Sequence, residues 1–108
     1  MIQIIPQDIP EVLLLELLVY GDSRVFFVET ARLSVLLEAG IPELVQHNQL
    51  HSRQGVLMGL HYQLEQTQGK FVRCARNRVF DLAVDVRRSS PTFGRAVGAE
   101  LNDQLYHQ

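Results

Sequence analysis

The stretch from Val79 to Val86, VFDLAVDV, alternates strictly between two sets of side chains. One set is entirely apolar and consists of Phe80, Leu82, Val84 and Val86. Because successive side chains of a β-strand point to opposite faces, this stretch predicts a strand with one face directed at a core. A chain with such a strand must build the rest of a sheet around it.

Other short runs rich in β-branched, aromatic or leucine residues are separated by Gly, Pro, Asn and Ser, which favour turns. Further strands are expected in Val12–Tyr20, Arg24–Thr30 and Arg95–Leu101. The leucines of Val12–Tyr20 leave a helix possible, but its short length and the following Gly-Asp-Ser turn favour a buried strand. Residues 1–10 carry two prolines, which confine them to an edge strand or an extended arm.

The hydrophobic period changes to helical spacing between Ala31 and Ala39, where Leu33, Leu36 and Leu37 recur. Gly40 follows as a left-handed stop, so the pattern predicts one short helix near residues 31–39. Several short strands and one helix indicate an all-β sandwich or barrel. A length of 108 residues with 46% apolar content is consistent with a single domain over residues 1–108 and a small core.

Residues Gly55 to Arg76 predict a β-hairpin that carries His61 and Lys70. If its strands pair so that these two side chains face the same way, a base and a cation lie together in a cavity. Imidazole titrates near neutral pH and can accept a proton, and a fixed ammonium can stabilise a developing oxyanion. From residue types alone, a hydrogen-bonded structural histidine beside a solvent-reaching lysine remains the simpler interpretation.

Charge and cysteine content limit the partners that are expected. The net charge of −2 predicts neither a nucleic acid nor a membrane as partner, and Val12–Tyr20 is far shorter than the roughly 20 residues of a membrane helix. Basic residues crowd the second half, which suits either a phosphate-bearing small molecule or a solvated face. The single Cys74 fits a reducing, cytoplasmic compartment. The four histidines lack the close spacing of metal ligands, so no metal is expected.

Several longer segments carry a resemblance to a known family. They are IPEVLLLELLVYGDSRVFFVET, VQHN, GVLMGLHYQ and QGKFVRCARNRVFDLAVDVRRSSPTFGRAVGAEL. Between about Ile9 and Leu101 the chain resembles the dTDP-4-dehydrorhamnose 3,5-epimerases, which are nucleotide-sugar epimerases of the cupin superfamily. The resemblance implies a cupin-like β-jelly-roll, usually a homodimer or higher oligomer with strand exchange, that acts without metal or cofactor on a dTDP-linked 4-keto-6-deoxy sugar.

The resemblance also implies roles for individual residues. His61 in GLHYQ matches the base that removes protons next to the ketone, at carbons 3 and 5, and Lys70 in QGK matches the cation that holds the enolate oxygen. Six further positions match substrate-binding positions of the family, and these are Arg24, Phe27, Glu29, Gln46, His47 and Asn48. The basic second half would then serve a pyrophosphate.

The sequence departs from the family pattern near the expected site. Met58 stands where the family has an arginine, Val25 replaces a glycine, and His47 replaces an acidic residue. The family pattern also continues beyond LNDQLYHQ, through strands that carry a proton-donating tyrosine and an aspartate that orients the base. The expectation is a C-terminally truncated jelly roll whose open edge a neighbouring copy closes. Two functions stay open: an epimerase, and a catalytically silent module that binds nucleotide sugars or serves assembly.

Overall fold

The computed structural model describes residues 2–108, in which six strands and one helix form. In chain order the elements are β1 (Ile2–Pro6), β2 (Leu13–Leu17), β3 (Val19–Gly21), β4 (Phe26–Val28), α1 (Leu33–Glu38), β5 (Arg78–Val84) and β6 (Ala96–Asn102). The strands form three antiparallel pairs, β1 with β2, β3 with β4, and β5 with β6. No helix in residues 2–108 combines the length and the apolar content that crossing a membrane requires.

The strictly alternating stretch forms β5, so the predicted strand is confirmed over Arg78–Val84. Its apolar face is not buried against a core as expected, since Phe80 is 71% exposed and Leu82 is 44% exposed. β5 pairs with β6 from Arg78 opposite Asn102 to Val84 opposite Ala96. The Phe80 ring lies so close to Gly98 that a methyl group at that glycine would collide with it. A turn-rich loop follows β5, and Gly94 N donates to Asp85 O at 2.8 Å where that loop returns to the sheet.

The first half of the chain forms β1, β2 and the short β3–β4 hairpin. The edge strand expected within residues 1–10 is confirmed as β1, which pairs with β2 from Ile2 opposite Leu17 to Pro6 opposite Leu13. The single strand expected over Val12–Tyr20 is divided, because β2 pairs with β1 whereas β3 pairs with β4. The other side of β2 receives the last residues of the chain, since Leu15 N donates to Gln108 O at 2.9 Å.

Helix α1 confirms the predicted change of hydrophobic period. It begins after Arg32 and ends where Gly40 adopts a φ of 82°, a conformation that glycine reaches without steric cost. Gly40 N donates to Leu37 O and Ile41 N donates to Leu36 O, which is the Schellman pattern of helix ends. Leu36 is buried and anchors the helix.

The predicted hairpin of residues 55–76 does not form. Residues 41–77, as the structure describes them, contain no helix and no strand, and Leu57 and Leu64 are 93% and 86% exposed. The preference of single residues for an extended conformation is local, whereas a strand also needs a partner for its backbone hydrogen bonds. Within residues 42–76 the structure records one such backbone bond, from Val56 N to Arg53 O at 3.4 Å.

The interior is correspondingly small. The buried apolar side chains among residues 2–108 are those of Ile9, Leu15, Leu17, Leu36 and Leu101. The radius of gyration is 15.1 Å, whereas a compact domain of this length has a radius of roughly 13 Å. Residues 41–77 lie without helix or strand and expose apolar side chains such as Val45, Leu57 and Leu64. That residues 1–108 form a single domain stays a prediction.

Candidate substrate-binding site

Arg24 lies in the turn between β3 and β4 and is held by the carboxylate of Asp22. Its Nη2 donates to Asp22 Oδ2 at 2.8 Å, and its backbone N donates to Asp22 Oδ1 at 2.8 Å. The Arg24 side-chain hydrogen bond is the main reason that the pKa of Asp22 lies below its ordinary value. The Arg24 side chain is 83% exposed, so the turn presents an oriented guanidinium to solvent.

Glu29 follows β4 and is held in the same manner by Arg32, which immediately precedes α1. Arg32 Nε donates to Glu29 Oε1 at 2.7 Å, and Arg32 Nη2 donates to Glu29 Oε2 at 2.8 Å. These two parallel bonds form the fork geometry that arginine makes with carboxylates. The side-chain hydrogen bond from Arg32 lowers the pKa of Glu29 and keeps its carboxyl ionised.

Two of the predicted substrate-binding residues, Phe27 and Glu29, line one cavity of about 640 Å³. We call it the Glu29 cavity, and its lining residues are Ile2, Ile4, Leu18, Tyr20, Phe27, Glu29, Arg32, Val35, Glu38 and Ala39. Its volume falls within the range of small-molecule sites, and apolar walls with a few polar groups are typical of them. The cavity can hold a flat or apolar group and offer it a charged pair.

The other predicted binding residues lie outside this cavity. Gln46, His47 and Asn48 are exposed in the segment that follows α1, and Gln46 Nε2 donates to Asn48 Oδ1 at 3.3 Å. That bond orients the two amides relative to each other. None of the three lines either of the two cavities described here among residues 2–108.

The two predicted catalytic residues do not lie in a described cavity. His61 and Lys70 are exposed, and neither lines a cavity described for residues 2–108. The expectation that a hairpin brings them together within the chain is wrong, because the two strands that would align them do not form. Their catalytic roles stay predictions.

A second cavity, of about 410 Å³, lies where the end of the chain packs near β4. Phe26 and Tyr106 contribute rings whose centroids are 5.5 Å apart, and the free Cys74 lines the same space. The Cys74 thiol donates to Arg76 O at 3.2 Å. In residues 2–108 the structure forms no cluster of three or more His, Cys, Asp or Glu side chains suited to a metal ion.

Two residues of the candidate site were missed by the sequence analysis. Asp22 and Arg32 each hold one of the predicted substrate-binding side chains, Arg24 and Glu29 respectively. The sequence spacing of the two charged pairs could have indicated both residues, since Arg32 follows Glu29 by three residues and Asp22 precedes Arg24 by two. Opposite charges at such short spacing can pair across a turn or at a helix start.

The architecture corresponds to that of solved nucleotide-sugar epimerases. dTDP-6-deoxy-D-glucose-3,5-epimerase from Legionella pneumophila, in complex with dTDP-4-keto-L-rhamnose, matches with a TM-score of 0.94 and 44% identity. The match covers 100% of this chain and 58% of that one. dTDP-4-dehydrorhamnose 3,5-epimerase from Sulfolobus tokodaii matches with a TM-score of 0.91 and 37% identity, over 98% of this chain and 60% of that one. The predicted all-β, cupin-like class with one short helix is thereby confirmed.

The sequence comparisons identify the family itself. The family model of dTDP-4-dehydrorhamnose 3,5-epimerase matches residues 6–108. The enzyme of that name from Shigella flexneri is 51% identical over 97% of this chain and 60% of its own length, and that from Pseudomonas aeruginosa is 52% identical over 93% and 56%. The chain therefore belongs to the dTDP-4-dehydrorhamnose 3,5-epimerase family. It spans about three fifths of the length of these relatives.

Proposed function

We propose that this chain performs the proton chemistry of a dTDP-4-dehydrorhamnose 3,5-epimerase on a dTDP-linked 4-keto-6-deoxy sugar. The observation that carries the proposal is the family match over residues 6–108, at 51% identity to the Shigella flexneri enzyme. The structural neighbour that holds dTDP-4-keto-L-rhamnose supports the substrate class.

In this proposal His61 is the base and Lys70 is the oxyanion cation. The imidazole takes the proton from the carbon next to the ketone, and the electron pair of that C–H bond moves onto the ketone oxygen as an enolate. The Lys70 ammonium stabilises the negative oxygen, which is commonly the largest contribution to such a step. Return of a proton from the opposite face inverts the carbon. The resemblance assigns that donor to none of residues 1–108, so proton removal is the step proposed for this chain.

Substrate binding is proposed for the six positions that match the family. They are Arg24, Phe27, Glu29, Gln46, His47 and Asn48. The oriented guanidinium of Arg24 suits a phosphate oxygen, and the Glu29 cavity suits a ring. Met58 removes one phosphate-binding arginine of the family pattern, and a methionine cannot replace a guanidinium fork. We therefore expect weaker pyrophosphate binding than in a relative that keeps the arginine.

We propose further that the chain acts as a homodimer or higher oligomer with exchanged strands. The exposed apolar residues of 41–77 support this, because the backbone of this segment forms no strand pair within residues 2–108 and can pair with a second copy. Sedimentation of the purified chain is expected to give at least twice the 12.3 kDa mass of one chain. A single monomeric species at all concentrations would contradict this assembly.

A cytoplasmic location is part of the proposal. The single cysteine, Cys74, is free, which suits a reducing compartment.

The test of the proposed function is the incorporation of solvent deuterium next to the ketone of the dTDP-linked 4-keto-6-deoxy sugar. Exchange requires only proton removal and return, so it detects the base and the cation without complete epimerisation. The proposal predicts an exchange rate above the uncatalysed background that rises with chain concentration. Binding of dTDP without any exchange would instead favour the silent nucleotide-sugar module.

A further inference from the structure

Arg32 is the only cation in the wall of the Glu29 cavity, among the residues that the structure describes there. Its position immediately before α1 would allow the side chain to extend into solvent. It turns back instead, and Nε and Nη2 each donate to a different oxygen of Glu29, at 2.7 and 2.8 Å. The planar fork therefore fixes both the position and the plane of that carboxylate.

The fork contributes little to the fold itself. The Arg32 and Glu29 side chains are 61% and 42% exposed, and ion pairs of such exposure add little to stability. Its consequence lies in the cavity. A carboxylate has about four lone-pair positions, of which the fork uses two, so the oriented Glu29 can accept further hydrogen bonds from a ligand.

The remaining cavity walls indicate what that ligand group is. Tyr20 and Phe27 supply aromatic rings, and aliphatic residues such as Ile4 and Val35 form most of the other walls. Glu38 adds a second carboxylate, which also favours a hydrogen-bond donor on the ligand. These surfaces favour a flat or apolar moiety, whereas an ionised carboxylate accepts hydrogen bonds and donates none. The group that suits this cavity is a ring with an N–H or O–H on its edge.

We propose that Arg32 is a positioning residue for nucleotide-sugar binding, which orients Glu29 as a fixed hydrogen-bond acceptor for an N–H or O–H of the nucleotide. This rests on the proposed function, in which Glu29 contacts the substrate. Arg32 acts through Glu29 and does not itself touch the ligand. The preference is for a donor-bearing ring edge, since an acceptor facing Glu29 would leave two acceptors opposed.

The experiment measures dTDP binding by calorimetry to the full chain and to its variants Arg32→Met, Glu29→Gln and the double variant. Arg32→Met is expected to weaken dTDP binding about tenfold, as loss of a well-oriented charged hydrogen bond does. The double variant is expected to bind no more weakly than Glu29→Gln alone, because Arg32 acts through that carboxylate. Arg53→Met, at an exposed arginine outside the cavity, is the matched control and should bind like the unmodified chain.

A spectroscopic readout separates positioning from a general loss of structure. The pKa of the Glu29 carboxyl, followed by carbon NMR, should lie below its ordinary value in the unmodified chain and closer to that value in Arg32→Met. The melting temperature should change little.

Two results would overturn the inference and leave the proposed function standing. In the first, Arg32→Met binds dTDP as tightly as the unmodified chain. In the second, the losses in the double variant are additive, which would mean that Arg32 contacts the nucleotide directly. An unmodified chain that binds no dTDP would overturn both the inference and the proposed function.

Discussion

Replacement of Asp85 by asparagine is expected to lower the melting temperature of the chain by roughly 5–10 °C, the effect of losing a buried charged network in a small domain. The Asp85 side chain is 1% exposed and accepts hydrogen bonds from three side chains. Ser90 Oγ and Thr92 Oγ1 each donate to its Oδ2 at 2.6 Å, and Arg87 donates from Nε at 2.9 Å and from Nη2 at 3.0 Å. An amide cannot accept all of these bonds.

The same network connects distant parts of the chain, so its loss should lower the stability of the whole fold. Arg87 Nη1 donates to Glu11 Oε1 at 3.2 Å, which joins the β5–β6 loop to the turn between β1 and β2. Thermal unfolding followed by circular dichroism gives the comparison. Asp81→Asn is the matched control, because Asp81 is an exposed aspartate on β5, the strand that Asp85 directly follows. Equal melting temperatures for the two variants would contradict the role assigned to Asp85.

The acid stability of the chain should depend on the same residue. Hydrogen bonds from Arg87, and then from Ser90 and Thr92, hold the pKa of Asp85 far below its ordinary value of 3.8. A carboxyl whose pKa is lower in the folded state than in the unfolded state stabilises the folded state when the pH is above the unfolded-state pKa. This contribution is lost progressively as the pH falls from the unfolded-state pKa towards the folded-state pKa. Stability should therefore decline below about pH 4, more steeply in the unmodified chain than in Asp85→Asn. Denaturant unfolding at several pH values measures the difference, and parallel declines would contradict it.

Patterns that are complete within a few residues predicted the fold well. The alternation in β5 and the leucine spacing of α1 with its Gly40 stop both correspond to observed elements. The segment 55–76 was likewise predicted to form strands, and it forms none. β6 provides the backbone partner for β5, whereas residues 2–108 provide none for residues 55–76.

Only part of the candidate site could be predicted from the sequence. Phe27 and Glu29 were expected to bind substrate, and the structure places both in one cavity. The catalytic roles of His61 and Lys70 are inferred from the family resemblance alone. Whether their side chains face each other depends on which strands pair, and the local sequence does not determine that pairing. The Asp85 network was missed for a related reason. Its donors come within hydrogen-bond distance only when residues 87–92 fold back over the end of β5.

Replacement of His61 by alanine is expected to have the largest effect on chemistry. A positioned general base accelerates proton transfer by about 100-fold to 10,000-fold, so deuterium exchange into the 4-keto sugar should slow by at least about 100-fold. His51→Ala is the matched control, because His51 is an exposed histidine ten residues earlier that no proposal assigns to the site. His51→Ala should exchange deuterium at the rate of the unmodified chain.

The central claim is that this chain removes a proton next to the substrate ketone through His61. The most direct measurement is the rate of deuterium incorporation by equal concentrations of the unmodified chain, His61→Ala and His51→Ala, each with confirmed folding. The account predicts exchange by the unmodified chain and by His51→Ala, and a rate near background for His61→Ala. Equal rates for the unmodified chain and His61→Ala would contradict it.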